Sequence, residues 1–339
     1  MNNMAVKQRP IIAITMGDAS GIGPEIIVKA LQSEHIYNIC CPVVIGEAII
    51  MSETIKLLKG PLKLRSVSAM DEAQGESGTI DLIDMQNLNR KEVISGQVCA
   101  ACGKAAMEFI AEAARLALQG HIKAIVTAPI NKESIKKAGY SDVGHLEFLA
   151  RLTNAAEYDN MLVSGPLRVV HLTTHHSLKE ACRLVTKERI LARLKLTYDS
   201  FRQWGIMHPR IAVAALNPHG GEGGLFGSEE IEQIIPAVKE AKESGIDARG
   251  PFPADSVFHR AAGGEFDVVL AMYHDQGHIA IKVFGFEESV SVALGLPLIR
   301  TSVDHGTAFD IAGQGIASPH SLEEAIKLAV RLSKGEGLL

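Results

Sequence analysis

Short apolar runs rich in isoleucine and valine alternate along the chain with longer segments that carry apolar residues at helical spacing. The strand-like runs are residues 11–16, 42–45, 124–127, 169–173, 211–215 and 268–272. The helical patterns include residues 24–31, 103–118, 145–152, 187–204, 228–243 and 322–332. This alternation is typical of parallel strands joined by crossover helices. It predicts an α/β fold, whose ligands lie beyond the carboxyl ends of the strands.

Composition narrows the class of protein further. With 339 residues, of which 47% are apolar, the chain exceeds one ordinary folding unit and can bury a large core. The net charge of −5 leaves no basic surplus for phosphodiester backbones, which excludes nucleic acid as an expected partner. No apolar run approaches the roughly 20 residues that span a bilayer, and no export signal is evident, so we expect no membrane contact and a cytoplasmic location. Five cysteines, two of them adjacent, favour reduced thiols.

A glycine-rich segment, residues 15–25, connects the first predicted strand to the first predicted helix. Its glycine spacing matches neither the Rossmann fingerprint nor the Walker loop. The segment is either a tight turn or a ligand contact, with Asp18 as the residue to test.

Three histidines, His175, His219 and His274, each follow a predicted strand. Neutral imidazoles bind divalent ions, and three protein ligands leave positions open for substrate oxygens. Asp275 would orient His274 or act as a general acid or base, although a capping role is also open. His176 would point to the opposite face if its strand continued.

Cationic and small residues complete the set of candidates. Lys132, Lys282 and Arg300 are suited to a phosphorylated acid. Residues 300–317 form a long polar segment rich in small side chains, which allows a backbone to approach a flat ligand closely.

Taken together, these motifs resemble the 4-hydroxythreonine-4-phosphate dehydrogenase family of pyridoxine biosynthesis, including its branch acting on 4-phospho-D-threonate or 4-phospho-D-erythronate. The resemblance covers nearly the whole chain. It rests on GD at 17–18, GIGPE at 21–25, GHLEF at 144–148 apart from its Leu146, TTH at 173–175, LNPHGGEGG at 216–224, YHDQG at 273–277, LGLP at 294–297, Arg300 and GTA at 306–308. Residues 305–317 also resemble the adenosine-binding loop of isocitrate and isopropylmalate dehydrogenases.

The resemblance implies a two-domain α/β fold of the isocitrate dehydrogenase type, with the active site between the domains. One domain would comprise residues 1–135 and about 285–339 and carry the dinucleotide loop. The other would comprise about 136–284 and carry the metal ligands and the dimer interface. The family forms homodimers whose sites are shared between subunits.

The resemblance also assigns roles to residues and implies a reaction. NAD and one divalent ion (Zn, Mg, Co or Mn) would support oxidation of a C3 hydroxyl, followed by decarboxylation to a phosphorylated ketone. The implied metal ligands are His175, His219 and His274; the substrate-binding residues are His145, Leu146, Lys282, Ser291 and Arg300; the catalytic residues are Asp275 and Lys282; the cofactor-binding residues are His305, Gly306, Thr307, Ala308 and Asp310.

Two departures from the family pattern bear on the substrate. Leu146 stands where the family has threonine, and Ser291 stands where it has asparagine. Losing such polar contacts changes substrate discrimination strongly. Residues 285–288 (GFEE) and 309–313 (FDIAG) resemble the branch that acts on phosphorylated sugar acids. The favoured substrates are therefore 4-phospho-D-threonate and 4-phospho-D-erythronate, with 4-hydroxythreonine 4-phosphate as the alternative. A zinc hydrolase, a non-catalytic binding protein for phosphorylated metabolites, and the use of NADP remain open.

Overall fold

The computed structural model describes residues 9–142 and 144–338. They form two compact units. The first contains the described part of Met1–Ala156 together with Leu296–Lys334, and the second contains Glu157–Gly295 with the described residues that follow Lys334.

The strands and helices alternate as the sequence pattern predicts. The strands are β1 (Ile11–Thr15), β2 (Cys41–Gly46), β3 (Lys63–Ser66), β4 (Thr79–Asp84), β5 (Ala124–Thr127), β6 (Asp159–Ser164), β7 (Leu167–His171), β8 (Ile211–Ala214), β9 (Ala248–Phe252), β10 (Val268–Ala271), β11 (Val290–Leu294) and β12 (Arg300–Val303). The α-helices are α1 (Gly23–Ala30), α2 (Glu34–Ile39), α3 (Ala48–Leu57), α4 (Ala100–Leu118), α5 (Lys132–Lys137), α6 (His145–Thr153), α7 (Leu178–Arg183), α8 (Lys187–Gln203), α9 (Ile235–Glu243), α10 (Ala254–Ala262), α11 (His274–Phe284) and α12 (His320–Lys334).

In the first unit the strands run in the order β3-β4-β2-β1-β5-β12, and all of their pairings are parallel. Strands β1, β2 and β5 are almost entirely buried, as expected for parallel strands covered by helices on both faces. The carboxyl ends of β1 and β5 lead into the glycine segment at 15–25 and the segment after Thr127. The loop after β12 begins at the same sheet edge.

In the second unit the strand order is β11-β6-β7-β10-β8-β9. The pairs β11-β6 and β6-β7 are antiparallel, whereas β7-β10, β10-β8 and β8-β9 are parallel. The core between this sheet and its helices includes Leu167, Val169, Val257, Phe266 and Ile281. Because β7, β10 and β8 are parallel neighbours, the segments that follow them leave the same edge of the sheet.

The predicted α/β class is confirmed, and each of the six predicted strands is present. Strand β7 ends at His171, two residues earlier than the apolar pattern indicates. The helix predicted for 228–243 begins as a π-helical turn, Glu230–Ile234, before α9. Strand β12 has the polar sequence RTSV and β6 begins with Asp-Asn, so neither has the apolar run on which the prediction depends.

The compact units change at 156/157 and 295/296, whereas the ranges taken from the family resemblance change near 135 and 285. Helices α5 and α6 both pack on α4, which places residues 132–153 in the first unit. Among the helices that the structure describes, none is both long and apolar enough to cross a bilayer.

Candidate active site

A cavity of about 290 Å³ lies at the carboxyl edge of the second unit's sheet. We call it the imidazole cavity, and its lining consists of Thr174, His175, His176, Leu178, Ala181, Tyr273, His274 and Asp275. These residues belong to the segment after β7, the start of α7 and the start of α11. Since β7 and β10 pair in parallel with His171 opposite Ala271, the two segments that follow them emerge side by side.

His274 is oriented by its neighbours. Its Nδ1 lies 2.7 Å from Oδ1 of Asp275, and its ring stacks on that of His278 with centroids 3.6 Å apart. A carboxylate that accepts a hydrogen bond from Nδ1 leaves Nε2 as the nitrogen with a free lone pair, an arrangement common among metal-binding histidines. The ring centroid of His175 lies 5.9 Å from that of His274. The structure therefore brings two of the three candidate ligands together.

A second pair of imidazoles lies behind His274. His171 is buried as the last residue of β7, as its predicted place within a strand requires, and its Nε2 lies 3.1 Å from Nδ1 of His278. Burial, with His278 and His274 close by, lowers the pKa of His171 to about 3, so this imidazole is neutral. A Cβ at Gly277 would lie 2.3 Å from Nε2 of His171, which explains the glycine in the YHDQG motif.

The condition attached to His176 does not hold. His176 would face away from His175 if the strand continued, but β7 ends at His171 and the following segment is irregular. His176 consequently lines the imidazole cavity together with His175.

His219 lies on a separate, tightly turned segment of the second unit. Both His219 and Glu222 have left-handed backbone conformations, with φ of 54° and 46°. The His219 side chain is exposed, and its ring centroid lies 6.4 Å from that of Phe226. The base of the segment is held by the buried Glu230 carboxylate, which accepts the N–H groups of Leu216 and Asn217 at 2.8 Å. Sequence reasoning missed Glu230, because its role depends on a contact across 14 residues.

The donor set suits a divalent cation, but only in part. Two imidazoles bound tetrahedrally to one ion at 2.0–2.1 Å would have centroids roughly 5 Å apart, close to the 5.9 Å between His175 and His274. Within residues 9–142 and 144–338, no three side chains of His, Cys, Asp or Glu are grouped closely enough to hold a metal ion. The convergence of His219 with the other two therefore stays a prediction.

Polar residues of the first unit form a separate candidate anion site. Arg300 is buried in β12, and both its Nε and Nη2 donate to Oγ1 of Thr127, at 3.1 and 2.8 Å. Burial lowers the pKa of Arg300 to about 10, so the guanidinium stays charged at neutral pH. Burial and the charge of Arg300 lower the pKa of His145 well below its usual range, so that imidazole is neutral. Its Nε2 is buried without a hydrogen-bond partner, so it is available to bind a polar group.

The remaining substrate candidates lie in regular elements. Leu146 is buried in the first turn of α6, and Ser291 is buried in β11. Lys282 lies on α11, eight residues after His274, and its Nζ is 4.9 Å from the ring centroid of Phe286. Lys132 is exposed at the first position of α5.

The candidate dinucleotide segment, residues 304–319, has turns but no helix or strand, and we call it the small-residue loop. His305, Gly306 and Asp310 are exposed on it, whereas Thr307 is buried. Ala308 has a φ of 41°, a conformation that costs energy for a residue with a side chain. Such strain persists only where the surroundings fix it.

The glycine segment at 15–25 forms a tight turn from β1 into α1. Gly17 has a φ of 73°, and a Cβ there would lie 2.4 Å from the carbonyl oxygen of Pro129. Asp18 is fully buried, and its Oδ1 accepts the N–H of Ser20 at 2.9 Å. Burial raises the pKa of Asp18, opposed by the Ser20 hydrogen bond. The structure shows the turn, and the alternative of a ligand contact stays open.

Comparisons with known proteins bear on both sites. The family described as pyridoxal phosphate biosynthetic protein PdxA matches residues 38–329. A protein of Halalkalibacterium halodurans, provisionally named D-threonate 4-phosphate dehydrogenase, is 49% identical over 326 residues, covering 96% of this chain and 98% of that protein.

Solved structures extend the comparison to the fold. A 4-hydroxythreonine-4-phosphate dehydrogenase from Burkholderia phymatum is 46% identical with a TM-score of 0.86, and one from Klebsiella pneumoniae is 42% identical with a TM-score of 0.90. Each alignment covers 96% of this chain and 98% of the other. The predicted resemblance is confirmed: the chain belongs to the PdxA family of pyridoxal phosphate biosynthetic proteins.

Proposed function

We propose that the chain is an NAD-dependent and divalent-metal-dependent dehydrogenase. It oxidises the C3 hydroxyl of 4-phospho-D-threonate or 4-phospho-D-erythronate, and the resulting 3-keto acid loses CO₂ to give a phosphorylated ketone. The observation that carries the proposal is the pairing of His175 with an Asp275-oriented His274 in one cavity. Membership of the PdxA family and the name of the 49% identical relative from Halalkalibacterium halodurans support the same chemistry.

The second unit's residues would hold the metal and move the hydroxyl proton. His175, His219 and His274 are the proposed ligands of a Zn, Mg, Co or Mn ion. Such an ion supplies Lewis-acid chemistry when bound. The exposed carboxylate of Asp275 fixes the His274 ring and is available to accept the proton of the C3 hydroxyl. Lys282 supplies a cation two helical turns from His274.

The first unit's residues would hold the anionic groups of the substrate and the dinucleotide. Arg300 is held by Thr127 and keeps a buried positive charge, which suits a phosphate or carboxylate. Neutral His145 can donate or accept a hydrogen bond at its unpartnered Nε2. The cofactor would contact His305, Gly306, Thr307, Ala308 and Asp310 of the small-residue loop.

Two buried positions would select the substrate. Leu146 and Ser291 offer less hydrogen bonding than the threonine and asparagine of the family pattern. A pocket without a polar side chain at a given point selects only weakly for the substrate group that such a side chain would bind. The name of the 49% identical relative favours a hydroxyl at C2 of the substrate over the amino group of 4-hydroxythreonine 4-phosphate.

The chain is also proposed to act as a homodimer in the cytoplasm. Helix α11 exposes large apolar side chains, with Ile279 61% and Val283 83% exposed. Phe286, two residues after the helix, is 72% exposed. Apolar side chains clustered in this way on one surface mark protein contacts. A second copy of the chain is the proposed partner, with sites shared between the subunits.

One alternative substrate is supported by the comparisons. The names of the similar enzymes from Burkholderia phymatum and Klebsiella pneumoniae favour 4-hydroxythreonine 4-phosphate, and membership of a pyridoxal phosphate biosynthetic family agrees with it. The zinc hydrolase and the non-catalytic binding protein have no such support.

The proposal is tested by NADH absorbance with protein stripped of metal and then supplied with Zn, Mg, Co or Mn. We expect metal-dependent NADH formation and CO₂ release with 4-phospho-D-threonate or 4-phospho-D-erythronate, and slower turnover with 4-hydroxythreonine 4-phosphate. The reverse order of rates would move the chain to the pyridoxine reaction. Product release without NADH would indicate a hydrolase, and ligand-induced stabilisation without turnover would indicate a binding protein. Repeating the assay with NADP determines the dinucleotide preference.

A further inference from the structure

Helix α1 makes three hydrogen bonds to the small-residue loop. The N–H of Ile22, at the cap of the helix, donates to the carbonyl of Thr307 at 3.1 Å. Oε1 of Glu25 accepts the N–H of Gly313 at 2.5 Å, and Nζ of Lys29 donates to the carbonyl of Ala317 at 2.5 Å. Residues 22, 25 and 29 are spaced by three and four, so they lie on one face of the helix. This face therefore contacts the loop at three points spread over eleven residues.

Close backbone approach accompanies these hydrogen bonds. A Cβ at Gly21 would lie 2.9 Å from the Thr307 carbonyl oxygen, and a Cβ at Gly96 would lie 2.5 Å from that of Phe309. Both glycines thus lie where only a bare backbone fits. The loop is held on one side by α1 and on another by residue 96.

The chemistry of Glu25 is unusual for a purely structural contact. Its side chain is 3% exposed, and Oε2 is buried without a hydrogen-bond partner. The carboxylate lies in the first turn of α1, where the helix dipole stabilises negative charge. A buried acid that forms a hydrogen bond with the loop backbone is suited to fix the loop in one conformation, including the left-handed Ala308.

We propose that Glu25 and Lys29 are positioning residues that hold the small-residue loop in the conformation that binds the dinucleotide. This inference rests on the proposed function, because it takes the loop to be the NAD-binding segment. Neither side chain needs to touch the cofactor. Their effect is to organise the loop before the cofactor arrives, which lowers the entropic cost of binding.

The test compares Glu25→Ala, Glu25→Gln and Lys29→Met with wild type and with Glu34→Ala, a control that removes an exposed glutamate of α2. Amide hydrogen exchange of residues 306–317 is measured in the dinucleotide-free protein, and the NAD dissociation constant is measured by calorimetry. Glu25→Ala loses one hydrogen bond to a charged group. We therefore expect the amide exchange rate at Gly313 and the NAD dissociation constant each to rise about tenfold in this variant. The variant's kcat at saturating NAD should stay within about twofold of wild type, a split that general destabilisation would not give.

The other variants distinguish the effect of the hydrogen bonds to the loop from the effect of the charge on the side chain. Glu25→Gln keeps an acceptor for the Gly313 N–H and should recover most of the affinity. Lys29→Met should raise exchange near Ala317 with a smaller loss of affinity, and this variant decides the matter if Glu25→Ala does not fold. If wild type binds NAD and neither Glu25→Ala nor Lys29→Met weakens that binding, the inference is overturned and the proposed function stands. Absence of NAD binding by wild type, with exchange still faster in the variants, would overturn the proposed function and with it the role of Glu25 and Lys29 in NAD binding.

Discussion

The small-residue loop and the imidazole cavity differ in how completely the chain builds them. The loop is held by side chains and backbone groups of its own unit, through Glu25, Lys29 and Ile22. The cavity contains His175 and His274, while His219 stands exposed on a separate segment. Main-chain hydrogen bonds are satisfied within the protein, whereas a set of metal ligands is drawn together by the ion itself. The first region is therefore organised by folding, whereas the second, under the proposed function, would be completed by binding of the ion.

The largest effect is expected from removing an imidazole of the cavity. His274→Ala removes both a proposed ligand and the partner of Asp275, so kcat/KM should fall by at least about 10³-fold, since a Lewis acid contributes several kcal/mol. The measurement is steady-state NADH formation at saturating metal. The control is His208→Ala, which removes an exposed histidine elsewhere in the second unit. Equal activity of the two variants would show that the cavity is not the catalytic centre.

A smaller effect is expected at the residue that orients His274. Asp275→Ala should weaken metal affinity by about 10- to 100-fold, the usual cost of losing a carboxylate behind a ligating histidine. Asp275→Asn retains a carbonyl acceptor for Nδ1 and should lose less. Metal titration with Co²⁺ measures both. An Asp275→Ala affinity equal to that of wild type would mean that the 2.7 Å contact does not orient the ring.

In the first unit, the interaction between Thr127 and Arg300 can be tested separately. Thr127→Val removes the acceptor of two guanidinium N–H groups, which should cost about 1–3 kcal/mol of folding stability. It should also raise KM for the phosphorylated acid about tenfold, because Arg300 loses its orientation. Thr127→Ser should restore both properties. A KM that stays at the wild-type value in Thr127→Val would separate Arg300 from substrate binding.

The smallest effect concerns pH. The pKa of His145 is well below its ordinary value of 6.5 in the folded chain, so the unfolded chain binds a proton there first as pH falls. Stability linked to this group is complete above about pH 6.5 and declines below it, by up to about 1.4 kcal/mol per pH unit. Urea denaturation between pH 8 and pH 5 should show a shallower decline in His145→Gln than in wild type. Parallel curves would contradict the neutral state of His145 in the folded chain.

The sequence predicts the regular elements well and the irregular ones less well, for physical reasons. Strands such as β5 are uniformly apolar and buried, so periodicity alone identifies them. Strand β12 is buried despite its arginine, because Thr127 satisfies that side chain from a neighbouring strand. The pattern of a single segment contains no information on such a partner.

The same distinction applies to the candidate sites. Strand-end positions predict that His175 and His274 lie close together, because parallel neighbours end at one edge. The place of His176 could not be predicted, since it depends on where β7 stops. Glu25 and Glu230 each accept a hydrogen bond from the backbone of a loop that lies elsewhere in the sequence, and no local motif indicates either contact.

The central claim is that three imidazoles of one chain converge on a single cation. X-ray absorption of protein loaded with one equivalent of Zn²⁺ measures it directly, with wild type compared against His219→Ala. We expect one tightly bound ion with imidazole nitrogens at about 2.0–2.1 Å, and one nitrogen ligand fewer in His219→Ala. An identical coordination shell in the two proteins, or no tight ion in wild type, would contradict it.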